Sequence, residues 1–182
     1  MRRWTRKFMR DESLMAAYAK GDAIAFDELY ARHKHAVFQF LRRQCPSVQV
    51  CEELVQDTWL AVIHGAPNYQ PTAQFRTWLY RMAHNRLVDH WRRFGSSSNV
   101  LFEELSDALA VLPDTTTREI ELDDLLLQLE QLPQEQVETL LLKTAGFSHT
   151  EIADITSTKP ETVKSRLRYA TQRLRVSMGV AS

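Results

Sequence analysis

The sequence predicts an all-α chain of two small helical domains joined by a flexible acidic linker, the C-terminal domain containing a helix-turn-helix. Three observations carry this. Apolar residues recur at helical spacing through most of the 182 residues, with only five Gly and few strand-like alternations. Between residues 95 and 121 six acids face one Arg, in a stretch that also holds a serine run, Pro113 and three threonines. Finally, Ser148 and Glu151 form a capping-box signature that opens a short helix stopping near Thr156, and Pro160 starts another just beyond it.

Residues 1–10, MRRWTRKFMR, make a basic arm with Trp4 and Phe8 interleaved, five basic residues and no acids. Fraying is expected of it before phosphate contact. Residues 12–19 suit a short helix that ends before Gly21. Asp22 caps a long helix in which Phe26, Leu29, Tyr30, His33, Val37, Phe40 and Leu41 follow helical spacing, until Pro46 breaks it. In the next helix, residues 51–64, Leu54, Val55, Thr58, Trp59 and Val62 form the packing face. Glu53, Gln56 and Asp57 stand at i, i+3 and i+4 on the opposite side, and taken alone they read as an ordinary solvated face.

Gly65–Gln74 is a loop by its Gly, two Pro and Asn. The helix from Phe75 to about Arg93, FRTWLYRMAHNRLVDHWRR, is expected to pack through Leu79, Met82, Ala83 and Leu87, with Trp78 and Trp91 in the core. Tyr80 and His84, with Arg81, Asn85 and Arg92 beside them, predict a surface both aromatic and basic. Aromatic faces stack unpaired bases for roughly 1–3 kcal/mol each while arginines follow the backbone, so this surface suits a single strand better than a duplex.

The linker, 95–121, reaches at most ~90–100 Å when extended, with room for a short amphipathic turn at Val100–Ala110. Leu122–Leu132 and Gln134–Ala145 make two helices divided by Pro133, and Gly146 closes the second. In the last helix Val163, Leu167, Ala170 and Leu174 form the apolar stripe. Its other faces carry Lys164, Ser165, Arg166, Arg168, Tyr169, Gln172, Arg173 and Arg175, donors for phosphates and base edges.

The formal net charge is zero, but it is a cancellation of patches. Residues 72–94 hold five basic residues against one acid, and Lys143 to Arg175 hold seven against three. No apolar run approaches the ~18 residues of a membrane span, and the basic N-terminus leads into Asp11-Glu12 instead of a signal-peptide core, so a cytoplasmic protein is expected. Cys45 and Cys51 do not make a secreted disulfide framework.

Four stretches resemble one family. EIA, followed after eight residues by TVKSRL, closely resembles the C-terminal domain of extracytoplasmic-function sigma factors of bacterial RNA polymerase. GDAIAFDELYARH resembles the opening helices of that family. CEELVQDTWLAVI is similar to the segment that docks on the clamp helices of the polymerase β′ subunit, which implies that role for Glu53, Gln56 and Asp57. FRTWLYRMAHN resembles the segment that melts promoter DNA and captures the non-template strand of the minus-ten element.

The resemblance covers about residues 11–93 and 120–176 and implies a division of labour. Residues 11–94 would be sigma domain 2, and 122–178 sigma domain 4. Minus-ten contacts would come from Asn68, Tyr69, Arg76, Tyr80, Arg81, His84, Asn85 and Arg92, with loop 66–74 as a pocket for a flipped base supported by Asn85. Minus-thirty-five contacts would come from Thr162, Lys164, Ser165, Arg166, Arg168, Tyr169 and Arg173. The implied partners are core RNA polymerase, through its β′ clamp helices and β flap, promoter DNA, and an anti-sigma factor of a kind often membrane-anchored. No cofactor, metal, small-molecule substrate or catalytic residue is implied. The chain departs from the family at Ser157, where a turn Gly is common, so that a slightly strained or differently shaped turn is expected, at Tyr169, and at His84.

Two other classes compete. A conventional helix-turn-helix regulator would add a ligand pocket or a receiver domain, and nothing here resembles an α/β receiver. A metal or redox sensor would use His33, His35, Cys45, Cys51 and His64, which lack the short ligand spacing of a structural zinc site. Catalysis has no phosphate-cradling loop, nucleophile elbow or paired metal motif to support it.

Overall fold

The computed structural model describes residues 6–71, 74–95 and 132–177. Trp4 with the start of the arm, Thr72 and Ala73 of the loop, the linker beyond Gly95 with its turn at 100–110, and 122–131 of the first C-terminal helix lie outside the described residues. Among those described, the chain is all-helical. Its elements are α1 (Asp11–Tyr18), α2 (Ala23–Arg42), α3 (Val48–Gly65), a 3-10 turn (Ala66–Asn68), α4 (Phe75–Phe94), α5 (Gln134–Thr144), α6 (His149–Ile155) and α7 (Pro160–Ser177). It divides into two compact units, residues 1–41 with 48–94 and residues 42–47 with 95–182.

In the first unit, α3 and α1 both pack on α4. Leu29, Val37, Trp59, Val62, Phe75, Leu79 and Leu87 are buried, each fully buried apolar side chain contributing about 1.5–3 kcal/mol. Asp22 caps α2 as expected: its carboxylate takes the guanidinium of Arg6 at 2.6 Å and the amides of Ala25 and Ile24, which holds it below the usual carboxylate range.

The expectation of a frayed arm fails over residues 6–10. Arg32 donates to the carbonyls of Arg6 (2.9 Å), Lys7 (3.0 Å) and Met9 (2.8 Å), to Asp11 (2.7 Å) and to Glu28 (2.9 Å). One guanidinium fork thus serves three carbonyls, of which that of Arg6 also accepts the Met9 amide at 3.0 Å. His33 Nε2 lies 2.7 Å from the other Asp11 oxygen, and hydrogen bonds from His33 and then Arg32 keep that carboxylate acidic despite its partial burial.

The second unit packs α5 and α6 on α7 around Leu132, Val137, Leu142, Phe147, Ile152, Ile155, Val163 and Ala170. Helix α5 ends in a Schellman motif, with Gly146 at φ +91° and the Phe147 amide donating to the Leu142 carbonyl at 3.2 Å. Helix α6 opens with both halves of the capping box, Glu151 N–H to Ser148 Oγ (3.2 Å) and Ser148 N–H to Glu151 Oε2 (2.8 Å). It closes with a second Schellman motif, Thr158 N–H to the Ala153 carbonyl at 2.9 Å. Here the left-handed position is Ser157, at φ +52°, the strained turn its side chain predicts. Pro160 starts α7 at its first turn.

Candidate nucleic-acid and polymerase-docking faces

Helix α3 sends Cys51, Leu54, Thr58, Trp59 and Val62 inward, with Val55 half-buried. The buried Thr58 hydroxyl is satisfied by the Leu54 carbonyl at 2.7 Å. Glu53, Gln56 and Asp57 are all exposed, one turn apart on the outer face, and Leu60 extends the same row at 49% exposure. Glu53 and Asp57 edge a groove of about 280 Å³ whose far wall is Arg86, Asp89, His90, Arg93 and Phe94 of α4.

The loop between α3 and α4 is pinned at both ends. At its start, a Cβ on Gly65 would stand 2.9 Å from Trp78 Cζ2, so only Gly admits that indole. Trp78 in turn meets Tyr69 edge-on with ring centroids 5.1 Å apart, and Phe75 at 6.0 Å. At its end, the Phe75 amide, first of α4, donates to Glu12 Oε1 of α1 at 3.0 Å. The Tyr69 hydroxyl is buried without a partner among the described residues. Burial, then the charges of Glu12 and Asp11, push its phenol up to about 12.

On α4, Arg81, Asn85 and Arg92 are exposed on one face, with His84 half-buried beside them, and Arg93 is exposed off that face. Arg92 leans toward Asp89 at 3.8 Å. Tyr80 is a correction: it is only 2% exposed, its ring 5.1 Å from Phe40, so it is core and offers no face to a base. Half-buried Arg76 lies over that ring at 5.7 Å and is steered by it. Trp78 and Trp91 are half-buried, not fully core, and Asn68 is exposed at the loop's start.

On α7, Val163 and Ala170 are fully buried with Leu167 and Leu174 half-buried, which turns Lys164, Arg168, Tyr169 and Arg173 outward. Thr162, Ser165 and Arg166 are half-buried at the flank. Ser165 Oγ donates to the Glu161 carbonyl at 2.9 Å, so it faces outward as an acceptor. Arg168 stacks on the Tyr169 ring at 5.0 Å and donates to its hydroxyl at 3.3 Å, so the two act as one unit, with Tyr169 52% exposed.

Sequence reading missed Glu12, Arg32 and Gly65. Only Glu12 had a signal, and an indirect one: Gln74, just before α4, is a poor N-cap, so the helix start needs an acceptor from elsewhere. No group of three His, Cys, Asp or Glu able to hold a metal occurs among the described residues.

A helix-turn-helix suits duplex DNA, while a basic helix behind a pinned loop suits a separated strand; together they define a promoter-recognition factor. The comparisons with known proteins agree. Residues 29–96 match Sigma-70 region 2 and residues 122–174 match Sigma-70, region 4. The RNA polymerase sigma factor NccH of Alcaligenes xylosoxydans xylosoxydans is 31% identical over 173 residues, 90% of this chain and 92% of that one. The ECF RNA polymerase sigma-E factor of Salmonella typhimurium is 30% identical over 171 residues, 87% of this chain and 89% of that one. Among solved structures, CnrH in complex with the cytosolic domain of CnrY superposes with a TM-score of 0.68 at 26% identity, covering 94% of this chain and 99% of that one. The chain belongs to the sigma-70 family of RNA polymerase sigma factors, in its extracytoplasmic-function group, and is an alternative sigma factor.

Proposed function

We propose that residues 11–94 act as sigma domain 2, docking core polymerase through Glu53, Gln56 and Asp57 and capturing a separated minus-ten strand, while residues 122–178 act as sigma domain 4 on the minus-thirty-five duplex. The observation that carries the reading is the loop fixed at both ends, by Gly65 on Trp78 and by Phe75 on Glu12, beside the outward row Arg81, Asn85 and Arg92. A loop held at both ends helps offset the few kcal/mol needed to unstack a base, and the arginines hold the strand that carries it. On this reading Asn68, Tyr69, Arg81, His84, Asn85 and Arg92 contact the minus-ten strand directly, and Arg76 flanks it. Buried Tyr80 supports the helix instead.

Helix α7, 18 residues or about 27 Å long, fits a major groove. Lys164 and Arg173 suit phosphates, and Arg168 with Tyr169 suits base edges from the middle of the helix, with Thr162, Ser165 and Arg166 nearer its start. The acid–amide–acid face of α3 suits a basic coiled coil such as the β′ clamp helices, and the β flap would receive the second domain. The residues outside these two domains serve as an arm, 1–10, and a linker, 95–121.

Reaction chemistry on this reading belongs to polymerase, and this chain supplies binding and positioning with no cofactor. No helix among the described residues is long and apolar enough to cross a membrane, and the chain would work in the cytoplasm beside polymerase. CnrH was solved with the cytosolic domain of CnrY, and the sigma factor RpoE from Bartonella quintana, which shares this fold, with the anti-sigma factor NepR. By that analogy an anti-sigma factor, membrane-anchored or free, holds this chain by covering its docking face. In vitro transcription from a pool of promoter fragments, with core polymerase alone and with this chain added, tests the whole reading. New start sites sharing two spaced elements are expected; duplex binding without any new initiation refutes it in favour of a conventional regulator.

A further inference from the structure

The first amide of α4, that of Phe75, is met by Glu12 of α1, 63 residues earlier in the chain, with Gln74 preceding it. Helix α1 is itself held in place by the Arg32 and His33 contacts to Asp11, the residue next to Glu12. The His33 ring also lies 5.5 Å from the Phe75 ring, and Phe75 is fully buried. Glu12 Oε2 is 3.4 Å from the exposed Arg10, so Oε1 is the oxygen committed to α4.

We propose that Glu12 is a positioning residue for minus-ten recognition: by capping α4 from outside, it fixes the start of that helix against α1. The inference rests on the minus-ten reading above and extends it to a residue outside the loop and outside α4. The other end of the loop is set by Gly65 against Trp78, so Glu12 supplies the second of two anchors. With one anchor released, α4 stays packed through Leu79, Ala83 and Leu87, and its start at Phe75 loses its fixed place. What should fail is discrimination among minus-ten sequences, not folding or polymerase binding.

The test measures transcription by full-length chain plus core polymerase on two promoters differing at one minus-ten base, and takes the ratio of the two rates. Glu12→Ala should narrow that ratio roughly three- to thirtyfold, the effect of losing one charged cap. Glu12→Gln keeps an acceptor at the same reach and should restore most of it. A merely scaffolding role would lower both rates together and leave the ratio unmoved, which overturns the proposal, as does a Glu12→Gln ratio no better than that of Glu12→Ala. Asn85→Ala separates the layers. A ratio narrowed by Asn85→Ala but untouched by Glu12→Ala defeats the Glu12 inference alone. If neither variant moves it, the minus-ten reading falls as well, and if Glu12→Ala alone moves it, Glu12 stands and the Asn85 assignment goes.

Discussion

Replacing Ser157 by Gly should stabilise the helix-turn-helix unit. Ser157 sits at φ +52°, the left-handed C′ position of the Schellman motif that ends α6. A side chain there costs roughly 1–2 kcal/mol against the following carbonyl, while the freer unfolded chain of a glycine returns about 0.5–1 kcal/mol of that. Ser157 is exposed, and none of the hydrogen bonds that define this turn uses its side chain: they run from Thr158 N–H to Ala153 and from Thr156 Oγ1 to Ile152. The net expectation is therefore a gain of about 0.5–1 kcal/mol. For a domain of this size that raises the melting temperature of its transition by about 2–8 °C. Thermal unfolding followed by circular dichroism reads the shift, and native-state hydrogen exchange in α6 and α7 locates it. Ser157→Ala is the control, because it keeps the Cβ and hence the strain, and it should stay within about 0.5 kcal/mol of the parent. A Gly variant no more stable than the Ala variant would refute the reasoning, because it would mean the turn is not strained by the side chain.

Further outcomes follow from the first unit. Alanine at Glu53, Gln56 and Asp57 together should abolish capture of core polymerase while leaving stability within about 0.5 kcal/mol per site, since all three are exposed; co-purification with polymerase and a melting curve decide it. Gly65→Ala forces a Cβ to 2.9 Å from the Trp78 ring and should destabilise by about 1–3 kcal/mol, with Trp78→Phe in the same chain restoring part of the loss; an unchanged denaturation midpoint for the single variant would show that the indole moves freely. Asp11 is held below its ordinary value of 3.8 by hydrogen bonds from His33 and then Arg32, so its contribution is present above pH 3.8 and is lost as pH falls through the lowered folded value. Asp11→Asn should accordingly be less stable than the parent near neutrality, and the gap should close in acid. Stability curves that stay parallel down to the lowest pH reached would rule out that pairing.

What could be read from the sequence was what is decided locally. Ser148 and Glu151 meet across three residues, Pro160 dictates its own backbone, and the stripe Val163, Leu167, Ala170 and Leu174 needs only a helical period, so all three stand in the structure as expected. Tyr80 was misplaced for an instructive reason. Tyr80, Ala83 and Leu87 lie at i, i+3 and i+7, so periodicity already put the ring on the core side, and the arginines around it suggested a surface that the helix does not build. The residues with no visible role were those whose partners are distant: Arg32 gathers carbonyls more than twenty residues upstream, and Glu12 reaches an amide 63 residues downstream. Neither pairing leaves a pattern at its own position. The trace lies at the receiving end, where a helix begins at Phe75 behind a residue that caps poorly. A helix start without its own acceptor implies one brought by the fold, and in this unit the acceptor comes from α1, which Arg32 of α2 holds through Asp11 while also taking the carbonyls of Arg6, Lys7 and Met9. The start of α4 is thereby set by a short helix that α2 in turn holds, which is why a change at Glu12 should be felt at a loop it does not belong to.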